Sequence, residues 1–273
     1  MQTAAPQIDL AATKAKQHAA WSAGDYGRIG TTLQIVGEQL AEAVHCSSGQ
    51  NVLDVAAGNG NATLAFARRF CEVTSTDYVP ALLEAGRARA LAECLPVQFQ
   101  VADAEDIPFE SGGFDIVASG FGVMFTADQQ AAAGELMRVC RPGGTIGMAN
   151  WTPDSFVGRL FKIIGKHTNA SASAPKPPVW GTEAWLRDTF GARADAMTIT
   201  PRDFLFYHRS PKEFVDFFRT WYGPTLRVFE SLDQDGGAAL EHDFLELIHD
   251  CNTATDGTMK VPSRYLEVVI SMH

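Results

Sequence analysis

The chain has 273 residues, 46% of them hydrophobic, which suits one large α/β domain with insertions or two modest domains. Its 22 basic and 32 acidic residues give a formal charge of −10, and no Lys/Arg cluster offsets it, which argues against a nucleic-acid partner. No stretch reaches the ~18 uninterrupted apolar residues of a membrane span, and the start lacks a signal-like apolar core, so a cytoplasmic protein with no membrane partner is expected.

The first 50 residues predict two helices, about Ala11–Trp21 and Thr31–Ala43, joined by the glycine-rich loop "SAGDYGRIG". The stretch "NVLDVAAGNGNATLAFA", residues 51–67, then runs from apolar strand to glycine turn to alanine-rich helix. Glycines there let a ligand approach the backbone and tolerate positive φ. A second strand, "EVTSTD", ends at Asp77, and Pro80 opens a helix of strong helix formers. "PVQFQVAD" and "FDIVASG" follow as strands. The helix "QQAAAGELMRVC" and a sharp turn at "RPGG" lead into the strand "TIGMANW". Such alternation implies a parallel sheet with right-handed crossovers and helices on both faces.

After Trp151 the pattern changes. "SFVGRLFKIIGKH" predicts an amphipathic helix, "NASASAPKPP" a small-residue loop, and "TEAWLRDTF" a short helix with Thr182 as N-cap. "AMTITPRDFLFYH" and "RYLEVVISM" are strand-like, while "SPKEFVDFFRTWYG" and the segment from about Leu226 to Cys251 are helical. The five cysteines have no metal or redox spacing and are expected as reduced, mostly buried thiols. His242, Glu246 and His249 have helical spacing suited to a metal ligand pair, but a single such pair favours a solvated helix face. His167 and His208 are better taken as ordinary positions than as general bases.

Five features stand in order at strand ends or in the turns behind them, the edge where open α/β sheets bind ligands. They are "LDVAAGNG", Asp77, "ADAEDIPF", "FDIVASGFGVMF" and "LMRVCRPGGTI". In register from about Asn51 to Ile146, they resemble the class I S-adenosylmethionine-dependent methyltransferases. Within that superfamily the segments "DVAAGNG", "IPF" and "RVCRPGG" look like those of the ubiquinone/menaquinone-biosynthesis C-methyltransferase group and its many small-molecule relatives.

The resemblance implies a Rossmann-like, doubly wound seven-stranded sheet, mostly parallel with an antiparallel last strand, plus helical substrate-covering insertions. It divides the chain into N-terminal helices and a cofactor flap (1–50), the S-adenosylmethionine-binding core (51–151), and a substrate cover with the last two strands (152–273). The turn from Asp54 through Ala56 and Gly58 would hold the methionine end of the cofactor. Asp77 would bind the ribose, with Tyr78 beside the adenine and Asp103 and Ala104 across from it. Ser119, Gly120 and Phe121 would lie beneath the sulfonium, with Trp21 and Tyr26 closing over the methionine portion. Ala56 departs from the glycine usual in that motif. Met124 and Phe125 replace an Arg–Asn pair of the quinone enzymes, which bears on acceptor choice.

The implied reaction is in-line methyl transfer to a small organic acceptor, with no metal and no assigned catalytic residue. Asp54 is as readily a turn or helix cap as a ligand group, and Asp103 also fits a solvated acidic loop. A nicotinamide-dependent oxidoreductase would use the same glycine turn and Asp77, but Thr63 stands where its third glycine belongs. A non-catalytic cofactor-binding or scaffold protein of this fold is the other alternative. The aromatics of the second half, from Phe204 to Tyr222, are expected mostly in the core, with some lining an acceptor pocket together with Met124 and Phe125. Helices of 152–190 and 209–260 are expected to cover that pocket.

Overall fold

A computed structural model describes residues 9–168 and 177–273. Most of the loop expected at "NASASAPKPP" lies outside the described residues. The chain begins with α1 (Leu10–Trp21), α2 (Tyr26–Thr32) and α3 (Gln34–Ala43). It continues through β1 (Asn51–Val55), α4 (Asn61–Ala67), β2 (Glu72–Asp77), α5 (Pro80–Ala92), β3 (Val97–Val101) and β4 (Phe114–Gly120). Next come α6 (Gln129–Val139), β5 (Cys140–Trp151), α7 (Phe156–His167), α8 (Glu183–Phe190) and β6 (Ala194–His208). The last elements are α9 (Pro211–Trp221), α10 (Gly223–Ser231), α11 (Gln234–Cys251) and β7 (Met259–Met272).

The seven strands form one sheet in the order β3-β2-β1-β4-β5-β7-β6. Neighbours from β3 to β5 are parallel, whereas β7 runs antiparallel to both β5 and β6. Chain order reverses direction between β1 and β4, making their carboxyl ends the switch point of the sheet. Leu53, Val55 and Val117 pack with Leu136 of α6 on one face. Val52 and Ile116 pack with Leu40 of α3 and Phe66 of α4 on the other. Strands this deeply buried need the near-continuous apolar runs seen in β1 and β4.

Local chemistry sets several helix starts. Asp128, Ser155, Ser210 and Asp233 each accept a first-turn backbone N–H, opening α6, α7, α9 and α11. Each such cap contributes about 1 kcal/mol. Thr182 stands at the N-cap of α8, but its hydroxyl donates to Val179 and leaves the helix N–H groups uncapped. Three further expectations change. "SAGDYGRIG" is only half loop, because α2 begins at Tyr26; the segment near Leu226 divides into α10 and α11; and "RPGG" is absorbed into β5, with an irregular register against β4. Cys71 and Cys140 are buried, Cys46 and Cys251 half-buried and Cys94 exposed, so burial claims fewer thiols than expected.

Candidate active site

The turn after β1 is held left-handed at three positions, Ala56 (φ 52°), Gly58 (φ 58°) and Gly60 (φ 83°). It is crowded as well: a Cβ on Gly122 would fall 2.2 Å from the Ala56 carbonyl oxygen, so the exit of β4 touches this turn backbone to backbone. Asp54 fixes the start of α4. Its Oδ2 accepts the N–H (2.7 Å) and hydroxyl (2.6 Å) of Thr63, while its buried Oδ1 has no partner among the described residues. Burial pushes its carboxyl up to about 7, against the pull of Thr63. Asp77 closes β2 and accepts the N–H groups of Gly58 and Val79, each at 2.9 Å. Burial raises it to about 6, and those backbone bonds limit the rise.

Across the opening, Lys14 of α1 bonds Asp103 at 2.5 Å and Glu105 at 2.7 Å. The second Asp103 oxygen accepts the N–H of Glu105, so both oxygens already have partners. His18 of α1 meets the edge of Tyr78, ring centroids 5.2 Å apart. Phe121, just past β4, has φ 64°, which costs a bulky residue about 1–3 kcal/mol. Its N–H bonds the Ala149 carbonyl at 2.9 Å, and its ring stacks on Trp151 with centroids 4.0 Å apart, which offsets part of that strain.

These groups surround a cavity of about 1000 Å³. Trp21, Tyr26, Asp54, Ala56, Gly58, Asp77, Tyr78, Asp103, Ala104, Gly120 and Phe121 all line it. Ser119 does not. It is fully buried beneath the floor, where its hydroxyl donates to Val55 and accepts from the N–H of Val123. Within β4, Ser119 points under the floor, and the left-handed turn of the chain at Phe121 (φ 64°), just past the strand, breaks the alternation that would have put Phe121 on the same side.

A second cavity, about 620 Å³, adjoins the first and shares Trp21, Tyr26, Leu33, Phe121 and Phe125 with it. Its other walls come from α7 (Leu160, Phe161), β6 (Phe206), α9 (Phe214, Phe218), Tyr222 and Thr225 at the start of α10, and α11 (Phe244). Met124 is buried in the core and lines neither cavity. Tyr207 is exposed, Phe217 packs on His208, and Trp221 lies under the Arg28 guanidinium. The helix α8 also departs from the expected cover, packing against α6 and β6 instead. His208 is away from both cavities, His167 bonds Asp243 at 2.8 Å, and His242 pairs with Glu246 at 3.3 Å on an exposed face.

Residues 53–148 match the family model described as "Methyltransferase domain". An uncharacterised protein of Mycobacterium tuberculosis is 38% identical over 257 residues, 92% of each chain. A demethylmenaquinone methyltransferase of Clavibacter sepedonicus is 37% identical over 148 residues, 52% of this chain and 60% of that one. Among solved structures, the YcgJ protein of Bacillus subtilis superposes with a TM-score of 0.57 at 17% identity, covering 86% of this chain and 97% of that one. This chain belongs to the class I S-adenosylmethionine-dependent methyltransferases.

The methyltransferase cavity fits the cofactor of its family. A Cβ on Gly120 would meet nothing within 4 Å, leaving open space where the strand exits. The unpartnered Asp54 oxygen offers an acceptor. Four lining carboxylates (Asp54, Asp77, Asp103, Glu105) face one lysine, an acidic surround suited to a ligand bearing ammonium and sulfonium charges. Lys14 and Gln17 of α1 also line this cavity, and no motif in "LAATKAKQHAAW" singles them out. Among the described residues no helix is long and apolar enough to cross a membrane.

Proposed function

We propose that this methyltransferase binds S-adenosylmethionine in the first cavity and a flat, apolar acceptor, aromatic or quinone-like, in the second. The observation behind this reading is the meeting of an acidic, backbone-walled cavity with a charge-free, aromatic-walled one across Trp21, Tyr26, Leu33, Phe121 and Phe125. Asp77 is assigned to the ribose hydroxyls, and the turn of Asp54, Ala56 and Gly58 to the methionine end. Tyr78, Asp103 and Ala104 flank the adenine, with Asp103 shared between it and Lys14. Gly120 and Phe121 lie beneath the sulfonium, while Trp21 and Tyr26 close over it. Ser119 contributes by holding that floor in place.

Bound S-adenosylmethionine supplies an activated methyl group for in-line displacement. The chain itself supplies position and dryness. Phe121, Phe125 and Trp21 exclude water at the junction, and a dry, oriented encounter provides much of the rate of such a transfer. The titratable groups lining the second cavity are Tyr26 and Tyr222, and burial raises both phenols, Tyr26 to about 12. Neither suits a general base near neutral pH. An ionised phenol, an enolate or an electron-rich carbon is therefore the nucleophile this site accepts best. The relative named demethylmenaquinone methyltransferase supports a quinone-like acceptor. Phe125, in place of the polar residue expected of the quinone enzymes, extends the apolar wall.

Incubation with methyl-labelled S-adenosylmethionine and a panel of acceptors tests this reading. Label is expected on neutral hydroxyarenes and hydroquinones, and not on phosphorylated or amine acceptors of similar size. Label on the charged acceptors alone would overturn it.

A further inference from the structure

The second cavity is chemically sparse. None of its lining side chains carries a formal charge, and its hydrogen-bonding groups are two indoles and three hydroxyls. Tyr26 belongs to both cavities, whereas Tyr222 and Thr225 belong to the second alone. Tyr222 is 8% exposed and Thr225 2%, and neither is among the residues whose hydroxyl is sealed off without a partner, so both hydroxyls keep access to the cavity space they line. In a cavity with so few polar groups, a ligand oxygen that enters leaves its water partners behind and these hydroxyls are what can replace them.

Both residues are held firmly in place. Tyr222 ends α9 and caps α10. Its N–H bonds Phe218 at 3.0 Å, and its carbonyl accepts the N–H of Leu226 at 2.9 Å. Its backbone pairs with Gly24, and its ring packs against Trp21, Phe218 and Tyr26. Thr225 follows three residues later, on the same side of the first turn of α10. The polar tips are thus carried on a corner tied to α9, to α10 and to the backbone at Gly24.

We infer that Tyr222 and Thr225 form an oxygen-anchoring subsite that orients a neutral aromatic acceptor through one hydroxyl or carbonyl group. This rests on the reading of the second cavity as the acceptor's. Both are positioning residues that select and orient the acceptor. Burial keeps the Tyr222 phenol protonated, so it donates, while the Thr225 hydroxyl can donate or accept.

The test uses two probes of matched shape, 1-naphthol and 1-methylnaphthalene, titrated into the full chain saturated with S-adenosylhomocysteine. The wild type is expected to bind 1-naphthol roughly tenfold more tightly, since 1.4 kcal/mol is a factor of ten and a net hydrogen bond contributes about that much. In the Tyr222→Phe/Thr225→Val double variant that preference is expected to fall below about twofold, with 1-methylnaphthalene affinity within about threefold of wild type. Thr225→Ser, which keeps the hydroxyl, should retain most of the preference and serves if the double variant fails to fold. An undiminished preference in a folded double variant, or its loss in a folded Thr225→Ser protein, would overturn the assignment. If neither probe binds wild type that does bind S-adenosylhomocysteine, the acceptor reading itself fails and the subsite falls with it.

Discussion

Asp54 and Asp77 are carboxylates placed where little water reaches them, which ties their ionisation to both stability and ligand binding. Burial lifts them from 3.8 to about 7 and about 6. The folded chain therefore holds these protons more tightly than the unfolded chain does. Each contributes stability that is complete below about pH 3.8 and is lost as pH rises through the folded value. A bound ligand with hydroxyls and an ammonium group favours the charged forms and reverses that preference. S-adenosylhomocysteine affinity is thus expected to rise between pH 5 and 7, by no more than about tenfold per pH unit per group. Binding near pH 6.5 should release protons, measurable by calorimetry in two buffers of different ionisation heat. A flat affinity from pH 5 to 8 would mean that neither carboxylate meets the ligand. Both were legible by position, Asp54 at the end of an apolar strand before a glycine turn and Asp77 at the end of the next strand, 17 residues beyond Gly60. Ser119 was expected beside Phe121, but the left-handed backbone at Phe121 swings that ring into the cavity and leaves Ser119 beneath the floor, a turn the residue types do not announce. Lys14 carries no signal of its own in a helix that buries no residue fully.

At the scale of elements, α1 buries no residue of its own and is held by a few contacts. Lys14 reaches Asp103 and Glu105, Trp21 packs on Phe125 and Tyr222, and the carboxyl end of the helix presses on α10. The closest approach is at Gly223, where a Cβ would stand 2.0 Å from the Ala20 carbonyl oxygen. That contact is backbone, so no side-chain rotation relieves it. Gly223→Ala is expected to push α1 off α10, with faster proteolysis of residues 9–25 and at least about fivefold faster release of S-adenosylhomocysteine. The thermal midpoint of the sheet should move little, since α1 adds nothing to its core. Unchanged proteolysis and release would show that α1 is held elsewhere. Most elements were legible: β1 and β4 are short, largely apolar runs, β2 is rich in β-branched residues, and α5 and α7 have clear starts at Pro80 and Ser155. The split between α10 and α11 was not, because no glycine or proline stands at Leu232–Asp233. The break is set locally by Asp233, whose carboxylate caps α11 by accepting the N–H of Gly236 at 2.8 Å.

Across the whole molecule, the two cavities meet over five shared side chains, and the segments that close them are tied together. Gly24 pairs with Tyr222, the N–H of Asp25 bonds the Trp221 carbonyl at 2.9 Å, and Arg28 lies 4.2 Å over the Trp221 ring. The segment that closes over the first cavity therefore cannot settle without setting the corner that carries Tyr222 and Thr225. A ligand that orders the first segment pays in advance part of the cost of ordering the second. S-adenosylhomocysteine is accordingly expected to tighten 1-naphthol binding at least about fivefold, a coupling within the usual range between linked sites. Linkage requires the same factor in reverse, so 1-naphthol must tighten S-adenosylhomocysteine binding equally. Calorimetry in both orders of addition checks the two factors against each other. Gly24→Ala should shrink them together, because a Cβ there would lie 2.4 Å from the Trp221 carbonyl oxygen and part the two segments. Full coupling in a folded Gly24→Ala protein would move its origin to the shared side chains, Phe121 and Phe125 first among them.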